Sequence, residues 1–161
     1  MGRPFGSGRN QTPAGEKVVA YLTLDSSVIV AALRRQEERH SECRSLLEKV
    51  KDGEFVAMEP YSVLIAVVAA IRRRTGARDL ASRVKDDLQN IGAMKFLGLT
   101  STRPGEATEI AQEIGVRRMA ATVIQVAREF DAPLVSLDTR IMDKAKSLVK
   151  REVGHSRAIL K

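Results

Sequence analysis

The stretch Val18–Ser27, read as VVAYLTLDSS, limits the fold of this chain more than any other. Val18 to Leu24 is mostly apolar or β-branched and runs straight into Asp25; two hydroxyls and the apolar run Val28–Leu33 follow. A strand with one face in water alternates polar and apolar residues. An uninterrupted apolar strand is covered on both faces, as in a parallel sheet packed by helices. Ser26 or Ser27 is placed to cap the next helix. Asp25 therefore stands where a central strand ends and a helix begins, the edge at which open α/β sheets bind ligands. A carboxylate there serves either a site or a helix cap, and its position does not separate the two.

The rest of the chain alternates in the same way. After a short helix (Ser27–Arg35), His40–Lys51 carries Cys43, Leu46, Leu47 and Val50 at the three-and-four spacing of an amphipathic helix. A short strand, Glu54–Met58, precedes a helix opened by Pro60 that is apolar nearly all round and ends in Arg72, Arg73 and Arg74. Then come a helix at Arg78–Ile91, a strand at Ala93–Leu99, a helix from about Thr102 to Gly115 and a helix at Arg118–Phe130. The turn Asp131-Ala132-Pro133 leads to a strand, Leu134–Leu137, that ends at Asp138, followed by a helix over Thr139–Lys150. Residues 157–160 suit a last short strand. This order predicts an α/β protein, a three-layer α/β/α sandwich with a parallel central sheet of four to five strands. Residues 1–16, rich in Gly, Pro and Arg, read as a flexible tail, and residues 17–161 as a single domain.

Composition narrows the setting. One cysteine, Cys43, forms no internal bridge and points to a reducing, cytoplasmic location. The longest apolar run, Val63–Ile71, is far short of the roughly 20 residues that span a bilayer. A net charge of +7 fits a polyanion partner, or simply a soluble surface; an aromatic content of 4% argues against binding by base stacking. The helix after Pro60 has no polar face. It must be buried on several sides or pair with a second subunit, which makes a homodimer contact an expectation. His40 has no second histidine near it and reads as a surface residue.

Two strands end in aspartate, YLTLD at Asp25 and PLVSLD at Asp138. Two carboxylates at one sheet edge can share a hard divalent cation, and a larger acidic set can hold two ions that drive attack of water on a phosphodiester. No P-loop, dinucleotide-binding glycine motif or zinc spacing is present.

Three segments, YLTLDSSVIV, PYSVLIAVVAAIRR and AATVIQVAREFDAPLVSLDTRI, resemble the PIN domain, and most of all the compact VapC-type toxins of archaea and bacteria. The resemblance spans about Val18–Val153. It implies a PIN-like fold, a Mg²⁺- or Mn²⁺-dependent endoribonuclease acting on single-stranded RNA, an antitoxin or other protein partner, and a homodimer. It also implies a site of four acids. The first and last match Asp25 and Asp138, which become the catalytic and metal-ligand candidates. The second, six residues past Pro60, falls on Ala66; the third, seven residues before Ala127, falls on Ala120. Glu59 lies on the wrong side of the turn to replace the second acid; the hydroxyls of Ser26, Ser27, Ser136, Thr122 and Thr139 are the other stand-ins. Two carboxylates leave a pair of divalent ions short of compensating charge, so metal binding is expected to be weak. The favoured reading is a PIN-family protein with weak or no catalysis that still binds RNA or a protein. Arg72, Arg73, Arg117, Arg118 and Arg140 are its candidate nucleic-acid contacts. Behind it stand an active ribonuclease with a third ligand still to be identified, and then a structural or dimerisation module that binds no nucleic acid.

Overall fold

The computed structural model describes residues 20–149, so the predicted tail and the predicted strand at 157–160 lie outside the described residues. The elements are β1 (Ala20–Leu24), α1 (Ser26–Leu33), α2 (His40–Lys51), β2 (Phe55–Pro60), α3 (Tyr61–Thr75), α4 (Arg78–Gln89), β3 (Met94–Leu97), α5 (Arg103–Ile114), α6 (Arg118–Glu129), β4 (Leu134–Val135) and α7 (Thr139–Ala145). The four strands pair in parallel in the order β3-β2-β1-β4. This is the predicted α/β sandwich.

That strand order decides where a site can form. From β1 the chain moves outward through β2 to β3, then crosses back over both to place β4 on the far side of β1. Right-handed crossovers therefore put α1–α4 on one face and α5–α6 on the other. The direction of winding reverses between β1 and β4, and a crevice opens at the carboxyl ends of those two strands. Asp25 follows β1 at that crevice, and Asp138 follows β4 by three residues.

The core agrees with the periodic pattern. Leu22 and Leu24 of β1 pack with Val28 and Ile29 of α1, Leu46 and Leu47 of α2, Val63 and Val67 of α3, and Ile124 of α6, all buried. Leu22 or Leu24 cut to Ala would cost about 2–5 kcal/mol. The ends of α3 and α5 are closed by Gly76 (φ +70°) and Gly115 (φ +66°), whose left-handed backbone a side chain would strain.

Several expectations are corrected. Residue 25, not Ser26 or Ser27, holds the N-cap position of α1, and neither serine caps it, because the helix begins at Ser26 itself. Of the two alternatives for the helix after Pro60, burial on several sides does not hold: Ile65 is 63% exposed and Tyr61 is 43% exposed, while Val63, Leu64, Val67, Ala70 and Ile71 face inward. His40 is partly buried, its Nδ1 2.7 Å from the carbonyl oxygen of Ala31, so it joins α2 to α1 rather than facing solvent. β4 is shorter than predicted. It stops two residues early, at Val135, because the Leu137 N–H is taken by Ser27 Oγ at 3.1 Å rather than by a neighbouring strand. Among the described residues no helix is long and apolar enough to cross a membrane.

Candidate functional site

Strand pairing brings the two predicted aspartates to one place. Leu24 lies opposite Val135, and the Asp25 N–H donates to the Val135 carbonyl at 2.8 Å, so the next residue of β4's exit, Ser136, stands beside Asp25. The Asp25 carboxylate is only 5% exposed. Its Oδ2 accepts from Ser27 Oγ and from Ser136 Oγ, each at 2.8 Å. Both hydroxyls are held from behind: the Leu137 N–H donates to Ser27 Oγ at 3.1 Å, and the Asp138 N–H donates to Ser136 Oγ at 3.0 Å. Two serines thus tie the end of β1 to the loop that presents Asp138. Hydrogen bonds to an ionised acceptor contribute about 1.5–3 kcal/mol each, enough to justify the burial.

Asp138 caps α7, accepting from the Arg140 N–H at 2.9 Å. The Arg140 side chain adds two long contacts, Nε to Oδ1 at 3.4 Å and Nη2 to Oδ2 at 3.5 Å. Burial pushes this carboxyl up, but the Arg140 guanidinium and the Arg140 and Ile141 N–H groups outweigh it and hold Asp138 below the usual range.

The two positions that the resemblance assigns to the second and third acids, Ala66 and Ala120, carry only methyl groups. Ala66 is partly buried on α3, one turn after Ser62; Ala120 is buried in the first turn of α6, two residues before Thr122. Ser62 Oγ and Thr122 Oγ1 are 3.0 Å apart. Because Thr122 gives its proton to the Met119 carbonyl at 2.8 Å, Ser62 is the donor in that pair. Hydroxyls join α3 to α6 here.

Glu59 does not face the crevice beside Asp25 and Asp138. It is fully buried near the end of β2, and its Oε2 accepts from the Leu24 N–H at 2.7 Å. Its Oε1 has no hydrogen-bond partner among the described residues. Burial raises its pKa well above the ordinary value, the Leu24 N–H lowers it in part, and the Asp25 charge raises it further. The side chain is turned into the sheet, where burial disfavours its charged form. Among the described residues no three acids, histidines or cysteines gather to hold a metal. With one oxygen of Asp25 taken by serines and Asp138 engaged by Arg140, the residues present do not fit a pair of Mg²⁺ or Mn²⁺ ions.

What lies beside Asp138 instead is a cavity of about 310 Å³ with Ala120, Met119 and Ile141 in its wall. Arg117, Arg140 and Lys144 line it, and Asp138 is its one acid among the described residues. Lys144 Nζ donates to the Gly115 carbonyl at 3.2 Å, at the negative end of α5. The structure therefore joins two of the five predicted arginines, Arg117 and Arg140, in one cavity. Arg118 is exposed and does not line it. Arg72 lies elsewhere, on a groove of about 620 Å³ between α3 and α4 shared with Tyr61, Ile65, Arg78 and Lys85; Arg73 is exposed and lines neither. Lys144 was not foreseen, although its spacing of four from Arg140 puts both on one side of α7.

Comparison with solved structures finds the same fold in three distant relatives. VapBC2 from Rickettsia felis, bound to a DNA fragment from its promoter, superposes with a TM-score of 0.61 at 11% identity, over 81% of this chain and 98% of the other. PAE2754 from Pyrobaculum aerophilum gives 0.58 at 15% identity over 88% and 98%. FitAB bound to the IR36 DNA fragment gives 0.58 at 14% identity over 81% and 94%. No curated protein matches. The family model described as "PIN domain" matches residues 22–147, which takes in every element from within β1 to α7, and the chain belongs to the PIN domain family.

Proposed function

We propose that this protein is a PIN-domain relative of the VapC-type ribonucleases that binds single-stranded RNA with weak or no catalysis. The observation that carries the reading is the pair of alanines in the α3 and α6 acid slots, together with a nearby Glu59 that points into the sheet. PIN domains generally work with Mg²⁺ or Mn²⁺, and half of the expected ligands are missing here. The scaffold and the Asp25–Ser136–Asp138 bonding remain. The test measures single-stranded RNA by fluorescence anisotropy and by cleavage, with Mn²⁺ and with EDTA. Binding should fall steeply with salt and survive EDTA. Manganese-dependent cleavage should be at background and should emerge in the double variant Ala66→Glu, Ala120→Asp. Cleavage by the native chain that disappears in Asp25→Asn would favour the active ribonuclease, and no binding at low salt would favour the structural module.

The outer face of α3 supports a protein contact as well. Ile65 and Tyr61 open onto the groove between α3 and α4, and an exposed apolar groove of this kind is covered in most assemblies. A second copy of the chain is the favoured occupant; likeness to the VapBC and FitAB toxin–antitoxin complexes makes an antitoxin-like chain the other. Sedimentation should show a dimer that Ile65→Asp converts to monomer. An unchanged dimer would move the contact off this face.

A further inference from the structure

We propose that the cleft beside Asp138 has reversed its ion preference and is an anion site, taking one phosphate group of a nucleic-acid strand directly, with no bridging metal. The inference rests on the RNA-binding reading above and names how that binding is achieved. A cleft built from acids repels phosphate and needs divalent cations to bring the two together. Here the cavity carries three basic side chains, Arg117, Arg140 and Lys144, against the single carboxylate of Asp138.

The geometry suits an oxyanion. Arg140 and Lys144 rise from α7, and Arg117 faces them from the connection between α5 and α6. The Ala120 methyl leaves open the space that an aspartate would fill with negative charge. Lys144 uses one of its three N–H bonds on the Gly115 carbonyl, so two can turn to a ligand. Arg140 is 86% exposed and meets Asp138 only at 3.4 and 3.5 Å, contacts long enough for a phosphate to compete for the guanidinium. At about 310 Å³ the cavity is at the lower end of small-ligand sites, the right scale for one nucleotide rather than a folded RNA.

The sign of the metal effect separates this site from the inherited one. The experiment measures binding of a short oligouridylate by anisotropy, and of inorganic phosphate by NMR shifts, with the full chain in EDTA and then with Mn²⁺ at constant ionic strength. Oligonucleotide affinity should be unchanged or lower with Mn²⁺. Arg117→Gln with Lys144→Gln should weaken it about tenfold and reduce the slope of log affinity against log salt by about 1.4. Lys51→Gln on α2, outside the cavity, should change affinity less than about twofold, and circular-dichroism melts verify that each variant folds. Ala120→Asp alone should weaken binding in EDTA and make Mn²⁺ strengthen it.

Undiminished binding in the double variant would overturn the site while leaving RNA binding intact. Affinity gained on adding Mn²⁺ to the native chain would overturn the reversal of sign. Phosphate shifts at Arg117 and Lys144 without any oligonucleotide binding would uphold the anion site with free phosphate as its source, and overturn the RNA reading. An absence of both overturns the two together.

Discussion

Asp25 and Glu59 are buried acids near the carboxyl ends of neighbouring parallel strands, close enough to feel each other's charge, yet their hydrogen-bond partners differ. Asp25 has hydroxyl donors from two directions on one oxygen and stands in the crevice where the winding of the sheet reverses. Glu59 meets one backbone N–H and is sealed from water, and burial pushes its pKa well above the ordinary value. Two acids on one sheet edge are therefore not two metal ligands. A carboxyl counts as a ligand only where its lone pairs face the cleft and its charge is stabilised. Asp25 meets part of that requirement through its serines; Glu59 has only the Leu24 N–H against full burial and faces into the sheet.

Removing the satisfied acid should have the larger effect. Asp25→Ala leaves the hydroxyls of Ser27 and Ser136 without their acceptor and should lower unfolding free energy by about 3 kcal/mol, measured by urea denaturation. Asp25→Asn keeps an acceptor oxygen and should cost less than half of that. Equal losses in the two variants would mean that the serines find other partners, and the contrast with Glu59 would weaken.

Glu59 should reveal itself through pH. Its folded pKa lies above the unfolded value of 4.5, so its contribution to stability is complete below pH 4.5. That contribution declines as pH rises toward the folded pKa, because the unfolded chain releases a proton that the fold retains. The slope from this one group is at most about 1.4 kcal/mol per pH unit. Glu59→Gln removes the linkage, so its stability relative to the native chain should improve as pH rises above 4.5. Parallel profiles for the two proteins would show that Glu59 ionises without cost inside the fold, contrary to its burial.

Much of this was legible beforehand because it depends on local pattern. The bounds of α2 match the stripe of Cys43, Leu46, Leu47 and Val50, since one buried face is enough to specify a helix. The continuous apolar β1 announced a sheet covered on both sides, as the parallel sheet order shows. Which residues form the outer face of α3 was not legible: Ile65 and Tyr61 are left over only after α1, α4 and α6 have packed against the other sides. Nor was Lys144 as part of the cleft, because its importance comes from Arg117 across a gap that links distant parts of the chain.

The sequence by itself determined the order of strands and helices and the two aspartates at strand ends. These follow from periodicity and from counting along the chain. Only the tertiary structure decided where each remaining charge points: Asp25 toward two serines, Glu59 into the sheet, and Arg117, Arg140 and Lys144 into one cavity. The physical reason is that a side chain's charge state and partners depend on burial and on neighbours brought from far along the chain, and neither is written in the residues beside it.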